Sequence, residues 1–248
     1  MEDRKLTVRA VERALDILMC FTKGSELALT EIASQIGLHK STVHRLMTTL
    51  EDRGFVVRDS RSDKYRLGLK IWELSTHLSH SDDPAVLLLP AMESLRDRLG
   101  ETVSLYLRDG GERIRIQAVQ SNQAIRRVAQ VGARLPLYVG ASSKVLVAFA
   151  AESDQEEILN AADWPDTVDK DTYRAQLADI MEQGYAISIE EREPGAVAVS
   201  VPVMDHNGRI AAALSVSGPV SRLSAETLRD FAPVLKESAR DMGLMISS

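Results

Sequence analysis

Between Leu29 and Leu50 the chain reads LTEIASQIGLHKSTVHRLMTTL, and this segment restricts the fold more than any other. Apolar periodicity predicts a helix over Leu29–Ile36 with Thr30 as its N-cap, a stop at Gly37, and a further helix over Lys40–Asp52 closed by Gly54. Two short helices so close must cross. Such a crossing needs a small residue at the contact, a residue able to turn, and an apolar residue that locks the second helix. Ala33, Gly37 and Val43 supply these in order. Helical spacing turns Val43, Leu46, Met47 and Leu50 inward, with Ser41, Arg45, Thr48 and Asp52 outward and His44 on the flank. This is the pattern of a helix-turn-helix. An outer face of Ser, Arg and Thr suits base edges in a DNA major groove, where guanidinium pairs with guanine and hydroxyls with several partners. Lys40, Ser41, Thr42, His44, Arg45 and Thr48 are its candidate contacts.

The flanks extend the pattern. Val8–Thr22 reads as a helix whose inward stripe is Val11, Ala14, Leu15, Leu18 and Phe21, ended by Lys23-Gly24-Ser25. Phe55–Arg58 and Tyr65–Leu67 form a hairpin about the polar turn Asp59–Asp63, with Arg58, Arg61 and Lys64 placed to hold phosphate as a wing does. Residues 1–68 are therefore expected to form a winged helix-turn-helix domain, and 69–83 a linker: a helix over Leu69–Leu78, then the polar hinge Ser79–Pro84. Charge divides the same way. Residues 1–70 carry 13 Lys and Arg against 10 Asp and Glu, the rest 17 against 26, within a net −6. Phosphate contact is thus confined to the first part.

From residue 84 to 248 the elements mix. Helices are expected over Ala85–Leu99, Ser142–Ala150, Asp154–Ala161, Thr172–Gln183 and Ala225–Leu244. Strands are expected over Thr102–Leu107, Ile114–Val119, near Val128–Val131, and over Ala186–Ile189, Ala196–Met204 and Ile210–Ser217. Strands joined by hairpin turns argue for an α+β fold, an antiparallel sheet flanked by helices, rather than a Rossmann sheet. Ser215 and Ser217 alternate with Leu214 and Val216, so both hydroxyls leave one face of a strand. Ser142-Ser143 opens a helix, where free backbone N–H groups favour an anion. A serine N-cap and a solvated strand face are the plain alternatives.

Several separated motifs resemble the IclR-type bacterial transcription regulators over nearly the whole chain. They are RALDIL (Arg13–Leu18), LTEIA (Leu29–Ala33), GLHKSTVHRL (Gly37–Leu46), YRLG (Tyr65–Gly68), LPLY (Leu135–Tyr138), GYA (Gly184–Ala186), VPVMD (Val201–Asp205) and ALSVSGP (Ala213–Pro219). The resemblance implies a winged helix-turn-helix, a linker helix and a GAF-like domain, in dimers that often pair into tetramers. It also places a small-molecule effector against Ala141, Ser142, Ser143, Ser188, Ala198, Ser215 and Ser217. Ala141-Ser142-Ser143 stands where the family commonly has a glycine-rich turn, Ser188 where Asp is frequent, and Ala198 where Cys is. These departures point away from the small keto acids that some members sense, toward another small organic acid, aromatic ones included.

The expected protein is then a DNA-binding regulator, more a repressor than an activator, acting on a double-stranded DNA operator under control of that acid. An architectural DNA binder whose second domain only oligomerises is the alternative, and a metal-dependent enzyme a further one. His77, His80, Asp82 and Asp83 could be named as a metal cluster, yet such residues in a polar linker more often form a solvated hinge. No nucleophile elbow, P-loop or dinucleotide-binding glycine pattern occurs, and Asp205–Gly208 reads as a hairpin turn. No catalytic residue, metal ligand or cofactor is expected. A single cysteine, Cys20, in an apolar run reads as a small buried hydrophobe. With no signal-like or membrane-spanning run, it fits a cytoplasmic protein.

Overall fold

Ile17, Ile32, Val43 and Met47 are fully buried and draw three helices around one point. The computed structural model describes residues 7–76, 83–126 and 130–246, which divide into two units, within 1–80 and 81–248. In the first unit α1 (Arg9–Cys20), α2 (Leu29–Gln35) and α3 (Lys40–Asp52) are followed by the antiparallel pair β1 (Val56–Arg58) and β2 (Tyr65–Leu67), then α4 (Leu69–Thr76). Leu27 adds a bridge to Tyr65 through two backbone hydrogen bonds, 3.0 and 2.8 Å. The unit is a winged helix-turn-helix. Gly37 takes φ +64°, the left-handed turn expected of it, and Leu38 N–H donates to Ala33 O at 3.1 Å.

Two expectations here need correction. Thr30 is not the N-cap of α2. Ala28 occupies that position, and the Glu31 carboxylate accepts its N–H at 2.6 Å. On α1 the buried residues are Ile17 and Cys20, joined by Phe21 beyond its end and by half-buried Ala14 and Leu18, whereas Val11 and Leu15 are exposed. The helix carries a second apolar face.

The second unit is built on one six-stranded sheet, every neighbouring pair antiparallel, in the order β5-β4-β3-β8-β7-β6. Its strands are β3 (Thr102–Asp109), β4 (Glu112–Val119), β5 (Arg134–Pro136), β6 (Ala186–Ile189), β7 (Ala196–Met204) and β8 (Ile210–Pro219). One face is apolar: Val103, Leu105, Val197, Val199, Val201, Val203, Leu214 and Val216 pack with α6 (Leu89–Leu99) and α10 (Ala225–Met245). The other is made of small side chains. Register aligns Ser188, Ala198, Ser217 and Thr102 in one row, and Ala186, Ser200, Ser215 and Ser104 in the next. Because side chains alternate sides, one register fixes both faces. Small residues leave room for α7 (Ala141–Ala148), which is buried along its whole length beneath α8 (Glu152–Leu159) and α9 (Lys170–Gln183).

The expected helix over 85–99 is two: α5 (Pro84–Leu87) and α6, separated at Leu88. Pro90 has no N–H to donate back along a continuous helix, so the break falls just before it. The expected strand near 128–131 is also absent at Val131, which lies in a turn; β5 forms three residues later, and residues 127–129 lie outside the described residues. His77, His80 and Asp82 lie outside them too, while the Asp83 carboxylate caps α5 by accepting Ala85 N–H at 2.9 Å.

Candidate nucleic-acid interface and ligand cavity

In the first unit α3 presents Lys40, Ser41, His44, Arg45 and Thr48 to solvent, with Thr42 half-buried. Its start is capped by His39, a residue that sequence reasoning left unassigned: Nδ1 accepts Ser41 N–H at 3.4 Å and lies 2.9 Å from Ser41 Oγ. Thr48 Oγ1 donates to His44 O at 3.0 Å. With its proton so used, that hydroxyl offers an outside partner only an acceptor.

The wing is less free than its charges suggest. Arg58 pairs with Asp63 at 2.6 Å and lies over the Tyr65 ring at 5.7 Å, so a phosphate must compete for it. Arg61 and Lys64 side chains make no ion pair among the described residues. The Asp59 carboxylate accepts Arg61 N–H and Ser62 Oγ, both at 2.9 Å, and these bonds, the backbone one first, hold it below the usual carboxylate range. Arg66, opposite Val57, adds an exposed cation that sequence reasoning passed over; the in–out alternation after buried Tyr65 was the signal for it.

In the second unit, six of the seven expected effector contacts line one cavity: Ala141, Ser142, Ser188, Ala198, Ser215 and Ser217. Ser143 does not. It is fully buried, and its hydroxyl lies 2.7 Å from Val139 O and 2.6 Å from Gly140 O. About 50 Å³ of the cavity is open to water-sized molecules, room for roughly three or four waters. Ser215 Oγ donates to Val199 O at 3.2 Å, whereas the Ser142, Ser188 and Ser217 hydroxyls have no hydrogen-bond partner among the described residues.

The structure adds lining residues that lie outside the expected set, chiefly Tyr106, Arg113 and Gly140. Arg113 is 3% exposed; its Nη1 donates to Pro136 O at 2.5 Å and Val139 O at 2.8 Å, fixing the loop that leads into α7. Gly140 follows with φ +95°, and a Cβ there would lie 3.1 Å from Arg113 Nη2. Only glycine fits both the backbone and the guanidinium. Burial pushes the Arg113 pKa down to about 10, below the ordinary guanidinium range, with Tyr106, Tyr173 and Glu191 opposing the shift. From the β6–β7 loop Glu191 accepts Gly140 N–H at 3.1 Å and a hydrogen bond from Lys144 Nζ at 2.8 Å, while Arg192 and Glu193 line the cavity. A helix start, a buried guanidinium and unpartnered hydroxyls together suit a carboxylate.

Residues 10–60 match the family described as "IclR helix-turn-helix domain", and residues 78–244 that described as "Bacterial transcriptional regulator IclR C-terminal". The chain is 34% identical over 246 residues to the HTH-type transcriptional regulator XynR of Escherichia coli (strain K12), covering 97% of this chain and 96% of the other. It is 30% identical over 240 residues to the HTH-type transcriptional repressor AllR of the same strain, covering 94% and 89%. Among solved structures, an IclR homolog from Microbacterium hydrocarbonoxydans complexed with 4-hydroxybenzoate superposes with a TM-score of 0.83 at 25% identity, covering 96% and 98%. The chain belongs to the IclR family of bacterial transcriptional regulators.

Proposed function

We propose that the chain is a ligand-controlled repressor that binds a double-stranded DNA operator as a homodimer. Lys40, Ser41, Thr42, His44, Arg45 and Thr48 read the major groove, while Arg61, Lys64 and, in competition with Asp63, Arg58 hold phosphate. A small organic acid in the second unit controls operator affinity through the segment 69–83. The observation that carries this reading is the convergence of the α7 start, Arg113 and the free serine hydroxyls on one small cavity. The relative bound to 4-hydroxybenzoate supports a carboxylate, aromatic ones included. Ser143, with its hydroxyl turned to the backbone, is left out of the contact set.

The homodimer rests on α1. Val8, Val11, Leu15 and Met19 lie three to four residues apart on its outer face and are 55–66% exposed, an apolar stripe suited to a second copy. No helix of the described residues is long and apolar enough to cross a membrane, and we place the protein in the cytoplasm as a binder rather than an enzyme. The test is an operator titration with and without organic acids whose binding is measured by calorimetry. An acid that binds and shifts operator affinity supports the reading. An acid that binds without shifting it favours an architectural role, and turnover of any bound acid favours an enzyme.

A further inference from the structure

Tyr106 on β3 and Arg115 on β4 are opposite one another in the sheet register. Arg115 Nε and Nη2 both donate to the Tyr106 hydroxyl oxygen, at 3.0 and 2.7 Å, while Nη1 donates to Gln130 O at 3.1 Å. A hydroxyl has two lone pairs and one proton. With both lone pairs occupied, the Tyr106 hydroxyl can act only as a donor, and among the described residues its proton has no acceptor. Tyr106 is 7% exposed and lines the cavity.

The charge around it is predominantly positive: Arg113 and Arg192 line the cavity with a single acid, Glu193, which Arg192 pairs at 3.3 Å. The Arg113 and Arg115 guanidinium carbons lie 5.6 and 5.1 Å from the Tyr106 ring centroid. Neither arginine forms an ion pair among the described residues, and Arg113 Nε is buried without a hydrogen-bond partner. Glu191, whose charge acts on Arg113, is already engaged by Lys144 and Gly140 N–H. Buried cations without a matching carboxylate favour an anion nearby.

We infer that Tyr106 is a specificity-determining residue of the cavity: its hydroxyl donates to an anionic oxygen of the ligand, a carboxylate or phenolate, and Arg115 positions it by filling both lone pairs. The inference rests on the reading of this cavity as the acid's site. It goes further in selecting ligands with an accepting oxygen at the β3–β4 wall, and in rejecting those that place an N–H or O–H donor there. Two cationic donors on the phenol oxygen also polarise its O–H bond and strengthen it toward an anion.

Acetate is small enough for the space available and is the probe. It is titrated into the full chain at constant ionic strength, with chloride as the balancing ion, and binding is followed by thermal stabilisation and calorimetry. Tyr106→Phe keeps the ring and should raise the acetate Kd tenfold or more, the loss expected for a hydrogen bond to a charged acceptor. Arg115→Gln should weaken acetate binding more in the native background than in Tyr106→Phe. A merely structural arginine would not show that non-additivity. The double variant also covers the case in which Tyr106→Phe alone folds poorly, because it removes the Arg115 donors that would be orphaned. Unchanged acetate affinity in Tyr106→Phe overturns the role of Tyr106 and leaves the cavity reading standing. Additive losses overturn the positioning role of Arg115. If the unaltered chain does not bind acetate, the cavity reading fails, and the role of Tyr106 with it.

Discussion

Replacing Arg113 by Met tests whether its charge belongs to the fold or to the ligand. The guanidinium is buried at 3% exposure, and burial lowers its pKa to about 10, well below the ordinary guanidinium range. Each tenfold change in proton affinity is worth 1.36 kcal/mol, so holding this group charged at neutral pH costs about 3 kcal/mol. The group is a base whose folded pKa lies below its unfolded value. The cost is therefore full at any pH below about 10 and is relieved only as pH rises from there toward the ordinary guanidinium range. Against it stand the two hydrogen bonds to Pro136 O and Val139 O, each worth about 1.5–3 kcal/mol when the donor is charged. The contact with the Tyr106 ring adds about 0.5–2 kcal/mol.

Methionine fills similar length without charge, so about 3.5–8 kcal/mol of lost contacts set against about 3 kcal/mol relieved leave ligand-free Arg113→Met less stable by about 0.5–5 kcal/mol. The response to acetate is what distinguishes fold from ligand. At a hundredfold excess over Kd the unaltered chain gains about 2.7 kcal/mol, and Arg113→Met should gain almost none of it. Urea unfolding read by Trp164 fluorescence, in a Trp72→Phe background, isolates the second unit: Trp164 there donates to Val168 O at 2.8 Å and lies edge-on to Tyr173 at 5.1 Å. Undiminished stabilisation of Arg113→Met by acetate, whatever its ligand-free loss, would show that Arg113 is a strut of the loop and not a ligand contact.

Three further outcomes concern the first unit. Arg45→Ala should weaken specific operator binding by about 1–3 kcal/mol and leave the fold intact; unchanged affinity in a mobility-shift titration removes Arg45 from the base-reading face. Arg61→Ala with Lys64→Ala should weaken binding to all sequences and reduce the slope of log affinity against log salt by about 1.8, and an unchanged slope would contradict phosphate contact. Leu15→Glu with Met19→Glu places two charges on the exposed face of α1 and should yield monomers in sedimentation; a persisting dimer would assign its interface elsewhere.

The helix-turn-helix was legible because its signals are local. Helical spacing, a left-handed glycine and an apolar lock lie within one short segment, and α3 spans Lys40–Asp52 as its periodicity predicts. Periodicity could not say which of two apolar faces on α1 would meet its own core, because Val11 and Leu15 are as hydrophobic as Ile17. It also passed over Pro90, whose missing N–H divides α5 from α6 within an otherwise continuous apolar pattern. Ser143 was separable in principle from Ser142, since adjacent residues on a helix point about 100° apart and only one of them can face a given cavity.

Arg113, Arg115 and Tyr106 were not legible for a different reason. The run ERIRIQAV reads as an alternating strand with a solvated arginine face, and nothing local says that face is covered. Its burial follows from the register that sets Tyr106 beside Arg115 and from the loop that Arg113 itself holds. That loop, residues 136–140, is anchored from three separate elements: Arg113 of β4 on Pro136 and Val139, Tyr173 of α9 on Leu137 at 2.6 Å, and Glu191 beyond β6 on Gly140. Each anchor is distant in sequence, and each meets the backbone within one turn of the start of α7. Those carbonyls take only Nη1, so Arg113 holds the loop while its Nε has no partner among the described residues. A ligand can influence a distant site only through states it distinguishes, and on the proposed reading Arg113 is the side chain on which both a ligand's charge and the loop before the buried α7 would bear.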